Sequence, residues 1–130
     1  MAWKLDDSRS IHSQLTAVIS RRIILGYYPP GSRLSSVREL ADEAGVNPNT
    51  MQRALSQLEA SGVIFAQRTS GRFVTTDREK IDAMRRGLAL DAIKEYVGAM
   101  SGLGFSPGET EALLHDYQQG KGGDQSEVEE

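Results

Sequence analysis

One stretch near the middle of the chain starts and stops a helix twice, and this limits the fold more than any other feature. Ser36 and Glu39 form a capping box, in which the serine hydroxyl accepts from the Glu39 backbone N–H and the Glu39 carboxylate accepts from the Ser36 N–H. Gly45 then ends that helix in the left-handed conformation. Asn47 caps a second helix, which Gly62 ends. The sequence therefore predicts two short helices joined by a tight turn.

After the second helix the apolar pattern changes from helical spacing to alternation. Residues 63–67 and 72–76 predict two strands, and residues 68–71, Arg-Thr-Ser-Gly, predict a short hairpin loop between them. A lone hairpin is barely stable in water, so its apolar side, with Ile64 and Val74, must pack on the helices and leave the tip exposed. Two helices, a tight turn and a packed hairpin predict a winged helix-turn-helix, a module that places its second helix in a DNA groove.

Further helices are predicted on both sides of this module. Ser10 caps a helix that ends near Gly26. A capping box of Thr76 and Glu79 opens a long helix that runs to about Met100. We therefore expect an α+β fold that is mainly helical, with a winged helix-turn-helix followed by an α-helical hairpin.

The second helix of that hairpin begins at a capping box of Ser106 and Glu109 and ends near Gly120. Two helices cannot close a core, so their apolar faces must pack on the winged module or on another subunit. Three regions are expected: a DNA-binding domain at 1–76, a helical dimerisation region at 77–119, and a disordered acidic tail at 120–130.

The charge of the chain is unevenly distributed. The net charge is −3, but residues 20–76 carry seven arginines and four acids, whereas residues 120–130 carry one lysine and four acids. Phosphate binding depends on the charge of the nearby protein surface and not on the net charge of the whole chain. A charge of +3 over residues 20–76 is therefore compatible with DNA binding. The chain has no cysteine and no stretch close to the ~20 apolar residues of a membrane span, so the expected location is the cytoplasm and no membrane partner is expected.

The motifs of residues 11–76 resemble the DNA-binding domain of GntR-family transcription regulators. Three strings occur in order: G-Y-Y-P-P-G-S-R-L-x-S-V-R-E-L-A, then G-V-N-x-N-T, then A-L-x-x-L-E-x-x-G. Ser35 stands where the family usually has proline, and Pro48 and Gln52 stand where well-known members often carry arginine. The operator therefore cannot be copied from a relative. The short two-helix C-terminal region resembles the YtrA type of the family, which dimerises through that region.

The module and this resemblance together point to nine candidate DNA contacts. They are Ser36, Arg38, Asn47, Asn49, Thr50, Arg53, Arg68, Thr69 and Gly71.

The first of these candidates lie at the starts of the two helices. Arg38 can reach a phosphate or a guanine edge, although an ion pair with Asp42 is the alternative. Ser36 can offer its backbone N–H or its hydroxyl to phosphate while it caps the helix. At Asn47, capping is the stronger interpretation. Asn49 can read adenine, and Thr50 can contact phosphate or a thymine methyl group.

The remaining candidates lie further along. Of Gln52 and Arg53, Arg53 is favoured as a phosphate contact. Arg68 at the hairpin tip suits a minor groove, and Thr69 and Gly71 let the tip backbone approach phosphates. Arg72 and Arg33 stay open between DNA contact and a structural or solvated role.

Two classes of function follow. The first is a sequence-specific transcription regulator, a dimeric repressor that reads an inverted repeat, with transporter genes suggested by the family resemblance. Its partners are double-stranded DNA and a second copy of the chain, and an unidentified small-molecule effector stays open. The second is a winged-helix module for protein interaction, which the polar start of the second helix disfavours. An enzyme, a metal site or a cofactor is not expected, since His12 and His115 lie on different predicted helices and no nucleotide-binding loop occurs.

Overall fold

The computed structural model describes residues 3–120 and contains, in that range, five helices and one two-stranded sheet. The elements are α1 (Ile11–Ile24), α2 (Val37–Ala44), α3 (Pro48–Ser61), β1 (Ile64–Gln67), β2 (Gly71–Val74), α4 (Arg78–Gly102) and α5 (Pro107–Gln118). The predicted mainly helical α+β fold and the order of its elements are confirmed. Apart from Gly120, the predicted acidic tail lies outside the described residues.

The chain divides into two compact units between Arg86 and Gly87, within α4. The first unit contains α1, α2, α3, the sheet and the first turns of α4. The second contains the rest of α4 and α5. No helix in the described range is long and apolar enough to span a bilayer.

The core of the first unit is built from apolar side chains at helical spacing on α1, α2 and α3, closed by the inner side of the sheet. Its fully buried members are Leu15, Ile19, Ile23, Leu34, Leu40, Ala41, Met51, Ala54, Leu55, Leu58, Val63, Ile64 and Val74. Ile81 and Met84 of α4 are half-buried against this cluster. Burial of each leucine, isoleucine, valine or methionine in this cluster stabilises the fold by roughly 1.5–3 kcal/mol, and it fixes the orientation of the surface-facing residues on the same helices.

Capping sets most helix boundaries as the sequence predicts. The Ser36–Glu39 capping box is formed in both directions, and Gly45 adopts φ of 74° at the end of α2. At α4 the predicted Thr76–Glu79 capping box is wrong, because the Asp77 carboxylate accepts from the Glu79 N–H at 3.0 Å. Aspartate is as good an N-cap as serine or threonine, and its position starts the helix at Arg78.

The hairpin pairs β1 with β2 in an antiparallel register that places Ile64 opposite Val74. Residues 32–34 lie along the other edge of β2, where Arg33 forms a bridge with Phe73 and the Leu34 N–H donates to the Arg72 carbonyl at 2.9 Å. This extra pairing places residues 32–34 beside the hairpin.

The second unit has little buried surface within this one chain. Ser106 and Glu109 form the predicted capping box at the start of α5, and Gly104 adopts φ of 92° in the preceding turn. Thr110 is buried, and its hydroxyl donates to the Ser106 carbonyl at 2.9 Å. Most apolar side chains on both helices are exposed.

Candidate nucleic-acid interface

The turn between α2 and α3 fixes the direction of the second helix. The Val46 N–H donates to the Ala41 carbonyl at 3.0 Å, which satisfies the end of α2. The Asn47 side chain then accepts from the Asn49 N–H at 2.7 Å, which satisfies the start of α3. The prediction that Asn47 caps the helix is thus confirmed, and its side-chain oxygen is already engaged.

One face of α3 is polar and exposed, opposite the buried face that contains Met51 and Leu55. The exposed residues at helical spacing are Asn49, Gln52, Arg53 and Ser56. The Gln52 amide donates to the Ser56 hydroxyl at 3.3 Å, which orders that side chain along the helix. Thr50 is half-buried and lies toward the edge of this face.

The sequence favours Arg53 over Gln52 as a contact, whereas the structure exposes both side chains. Ser56 is not among the predicted contacts, yet its hydroxyl lies within hydrogen-bond distance of Gln52. The signal was present in the sequence, because residues four apart on a helix share a face. Gln52 therefore joins the candidate contacts, and Ser56 orients its side chain.

The N-terminal end of α2 carries the next two candidates. The Ser36 N–H donates to the Glu39 carboxylate at 2.9 Å, so this N–H is already occupied and only the hydroxyl proton can be offered to a phosphate. The Ser36 backbone N–H, followed by the Ser36 hydroxyl, holds the pKa of Glu39 below its ordinary value. Arg38 is exposed. Among the ion pairs of residues 3–120, none joins Arg38 to Asp42.

The hairpin turn exposes Arg68 and Thr69. Gly71 is the first residue of β2, directly after the turn, and its predicted role in letting the tip backbone approach phosphate stays a prediction. Its φ is 109°, and a Cβ there would lie 3.0 Å from the Arg33 Nε atom. Gly71 thus leaves room for the Arg33 side chain.

Two of the seven arginines counted in residues 20–76 are held by carboxylates. Arg72 donates from Nε to Glu59 at 2.9 Å, which ties β2 to α3. Arg22 donates from Nη1 to Glu43 at 3.1 Å, and its side chain is only 5% exposed. The pairs remove two charges of each sign, so five arginines against Glu39 and Asp42 still leave +3. That charge lies on the exposed surface.

Residues 3–7 form an N-terminal arm that contacts α1 and α2 through Trp3. Trp3 donates from its indole N–H to Glu43 at 3.0 Å, and the Arg22 guanidinium lies 4.3 Å from the Trp3 ring centre. The hydrogen bond from the Trp3 indole is the largest cause that holds the pKa of the Glu43 carboxyl below its ordinary value; burial opposes it, and Arg22 lowers the pKa further. Trp3 and Leu5 pack against the chain's own core.

This arrangement agrees with the comparisons with known proteins. The family model described as "Bacterial regulatory proteins, gntR family" matches residues 11–74. The HTH-type transcriptional regulator YhcF of Bacillus subtilis (strain 168) is 30% identical over 117 residues, which cover 90% of this chain and 97% of that protein. The chain belongs to the GntR family. The predicted family membership is therefore confirmed.

Two further relatives support the fold and the type of GntR protein. A solved structure of a GntR family transcriptional regulator from Listeria monocytogenes has a TM-score of 0.78 at 34% identity, covering 86% of this chain and 98% of that chain. The HTH-type transcriptional repressor YtrA of Bacillus subtilis (strain 168) is 28% identical over 112 residues, 72% of this chain and 86% of that protein. This chain is a DNA-binding transcription regulator with the GntR winged-helix fold, and not an enzyme.

Proposed function

We propose that this GntR-family chain is a homodimeric repressor that reads an inverted-repeat operator. One observation carries the proposal: the exposed face of α3 presents Asn49, Gln52 and Arg53 on a helix whose opposite face is locked into the core. Such a helix can enter a major groove without losing any core contact. The alternative, a protein-interaction module, would need an apolar or acidic surface on α3, and this face carries neither.

The contacts divide into two kinds in this proposal. Arg38, Arg53 and Arg68 bind phosphates or the minor groove and supply most of the affinity. Asn49 and Gln52 read base edges, since an amide pairs in two places with adenine. Ser36, Thr50 and Thr69 contribute shorter hydroxyl contacts that fix the register.

Dimerisation is assigned to the helical region at 77–119, with DNA binding at 1–76. In α4 the residues Leu90, Ile93 and Val97 form one exposed apolar stripe at helical spacing. Leu103 and Tyr117 are also largely exposed, at 73% and 64%. Exposed apolar surface of this extent is typical of an interface, and a two-fold dimer would present two α3 helices to two half-sites.

Repression is supported by the relative YtrA, which is named as a repressor. Control of transporter genes rests on the resemblance to the YtrA type. Because the proposed partner is chromosomal DNA, we expect the protein to act in the cytoplasm.

A small-molecule effector could bind in an open surface groove of about 450 Å³ between residues 3–7 and the start of α3. Trp3, Val46 and Thr50 are among its lining residues. A ligand there would alter repression only through different affinities for the DNA-bound and free states.

The test is a selection of genomic fragments by the purified full-length protein at near-physiological salt. We expect an inverted repeat to be enriched, and Arg38→Ala to abolish the enrichment. In direct binding to the enriched duplex, Arg53→Ala is expected to lower the slope of log affinity against log salt by about one, as loss of one phosphate contact does.

Arg85→Ala is the matched control, because Arg85 is an exposed arginine on α4 outside the proposed contacts. It is expected to bind the duplex as the wild type does. Enrichment of no sequence by the wild-type protein would overturn the proposed function, and enrichment of a single half-site would overturn its dimeric form.

A further inference from the structure

The exposed Arg33 side chain donates a hydrogen bond to the backbone of the hairpin turn. Its Nε donates to the backbone carbonyl of Ser70 at 2.7 Å, at the end of the hairpin turn. Its own backbone bridges to Phe73 on β2. The side chain therefore folds back over the strand that its backbone already pairs with, and reaches the turn.

Gly71 leaves room for this contact because it has no Cβ. A Cβ on Gly71 would lie 3.0 Å from the Arg33 Nε and 3.4 Å from one of its terminal nitrogens. Any larger residue at 71 would displace the guanidinium or strain a backbone with φ of 109°. Gly71 and Arg33 thus act as a matched pair.

Arg33 also lies near the N-terminal end of α2. Its backbone precedes Ser36, the N-cap of that helix, by three residues, and its side chain contacts the hairpin turn. Arg33 therefore lies between two elements that carry proposed DNA contacts: the turn with Arg68 and Thr69, and the first turn of α2 with Arg38.

We propose that Arg33 is a positioning residue for the wing: it holds the hairpin turn so that Arg68 meets the DNA at a fixed distance from α2 and α3. The inference rests on the proposed function, because it concerns how the same DNA site is assembled. A guanidinium suits the role because its Nε–H lies in a rigid planar fork, whereas a lysine ammonium lies at the end of a flexible chain.

The experiment is a double-mutant cycle on the duplex recovered by the genomic selection. The full-length variants are Arg33→Ala, Arg68→Ala and the double variant, with melting temperature measured for each. We expect Arg33→Ala to weaken operator binding about tenfold in the wild-type background, the size of a lost specific contact. In the Arg68→Ala background we expect less than about a twofold effect, because the contact that Arg33 positions is already absent.

Two further variants separate position from charge. Gly71→Ala keeps every charge but disturbs the contact, because its Cβ would displace the Arg33 side chain or strain the backbone, and its melting temperature is measured as well. Arg33→Lys keeps the charge but lacks the Nε–H donor. Both are expected to weaken binding as Arg33→Ala does. They also keep the test available if Arg33→Ala fails to fold.

Three outcomes would overturn the inference. If Arg33→Ala weakens operator binding by the same factor in the wild-type and the Arg68→Ala backgrounds, Arg33 acts independently of Arg68, for example as a phosphate contact of its own. Full rescue by Arg33→Lys would mean that charge alone matters, and wild-type affinity of Arg33→Ala would mean no role. Each of these leaves the proposed function standing, whereas a wild-type protein that binds no specific duplex overturns both.

Discussion

The Arg22 guanidinium and the Glu43 carboxylate lie 3.1 Å apart and join α1 to the C-terminal half of α2, although one side chain is 5% exposed and the other 47%. The Tyr28 hydroxyl contacts the same Arg22 nitrogen at 2.6 Å, and Trp3 covers the guanidinium. A buried arginine of this kind depends on its carboxylate, since a charge removed from water needs a partner of opposite sign. The position of α2, and of Arg38 on it, depends on this pair.

Substitution of Glu43 should therefore destabilise the first unit. Glu43→Gln keeps the shape and an acceptor but removes the charge that faces Arg22. Breaking a buried pair costs roughly 3–5 kcal/mol, and the half-exposed carboxylate reduces the expected loss to about 1–2 kcal/mol. Urea unfolding of both proteins measures the loss. Asp42→Asn, an exposed carboxylate on the same helix, is the control and should change the free energy of unfolding by less than ~0.5 kcal/mol.

The charge of Glu43, which the Trp3 indole and then Arg22 stabilise, predicts a pH dependence with a definite sign. Because the folded protein holds the pKa of Glu43 below its usual 4.5, the stabilisation is complete above that value and is lost as pH falls through the lower folded value. The difference in stability between wild type and Glu43→Gln should shrink as pH falls below about 4.5. Unfolding curves at neutral and acidic pH measure it. A difference that is constant with pH would contradict the assigned role of the charge.

The sequence predicted helix boundaries well because capping is a local interaction. Ser36, Asn47 and Ser106 each cap a helix through residues two or three positions away, so the spacing alone is informative. The cap of α4 was misplaced because Thr76 and Asp77 are both competent caps and the spacing to Glu79 fitted the wrong one.

The roles of the arginines could not be predicted in the same way. The partner of Arg22 is twenty-one positions away and that of Arg33 thirty-seven, so the contacts exist only once the core has formed. Counting the charged residues in 20–76 predicts the correct exposed charge of +3, because each ion pair cancels one positive and one negative charge. The count does not show which arginines face outward.

Capping and DNA contact at Ser36 can be separated by two substitutions. Ser36→Ala removes the side-chain acceptor for the Glu39 N–H and should cost about 1 kcal/mol of stability. Ser36→Asp keeps an N-cap and should stay within ~0.5 kcal/mol of the wild type. Its negative charge should nevertheless weaken operator binding about tenfold if a phosphate lies at this helix end. Urea unfolding and binding to the selected duplex measure the two effects. Wild-type affinity of Ser36→Asp would remove Ser36 from the contacts.

The ion pair of Arg72 and Glu59 should attach the wing to α3. Arg72→Glu places two carboxylates where the atoms are now 2.9 Å apart, at side chains 19% and 29% exposed. We expect a loss of about 1–2 kcal/mol, because the pair is partly shielded from water. The charge-swapped variant Arg72→Glu with Glu59→Arg should regain about half of it or more. Urea unfolding of the wild type, the two single variants Arg72→Glu and Glu59→Arg, and the double variant gives the coupling energy, and strictly additive losses would show that the pair contributes nothing.

The apolar stripe of α4 should mediate dimerisation. Ile93 is 53% exposed in the single chain, and Ile93→Asp would place a carboxylate between two copies of the chain. An unpaired buried charge costs several kcal/mol, so the dissociation constant of the dimer should rise by ~100-fold or more. Ala99→Asp adds the same charge to an exposed position on another face of α4 and serves as the control. Analytical ultracentrifugation of the three proteins measures the constant. If Ile93→Asp stays dimeric, the stripe is not the interface, and if the wild type is monomeric at every concentration, the inverted-repeat form of the proposal is wrong.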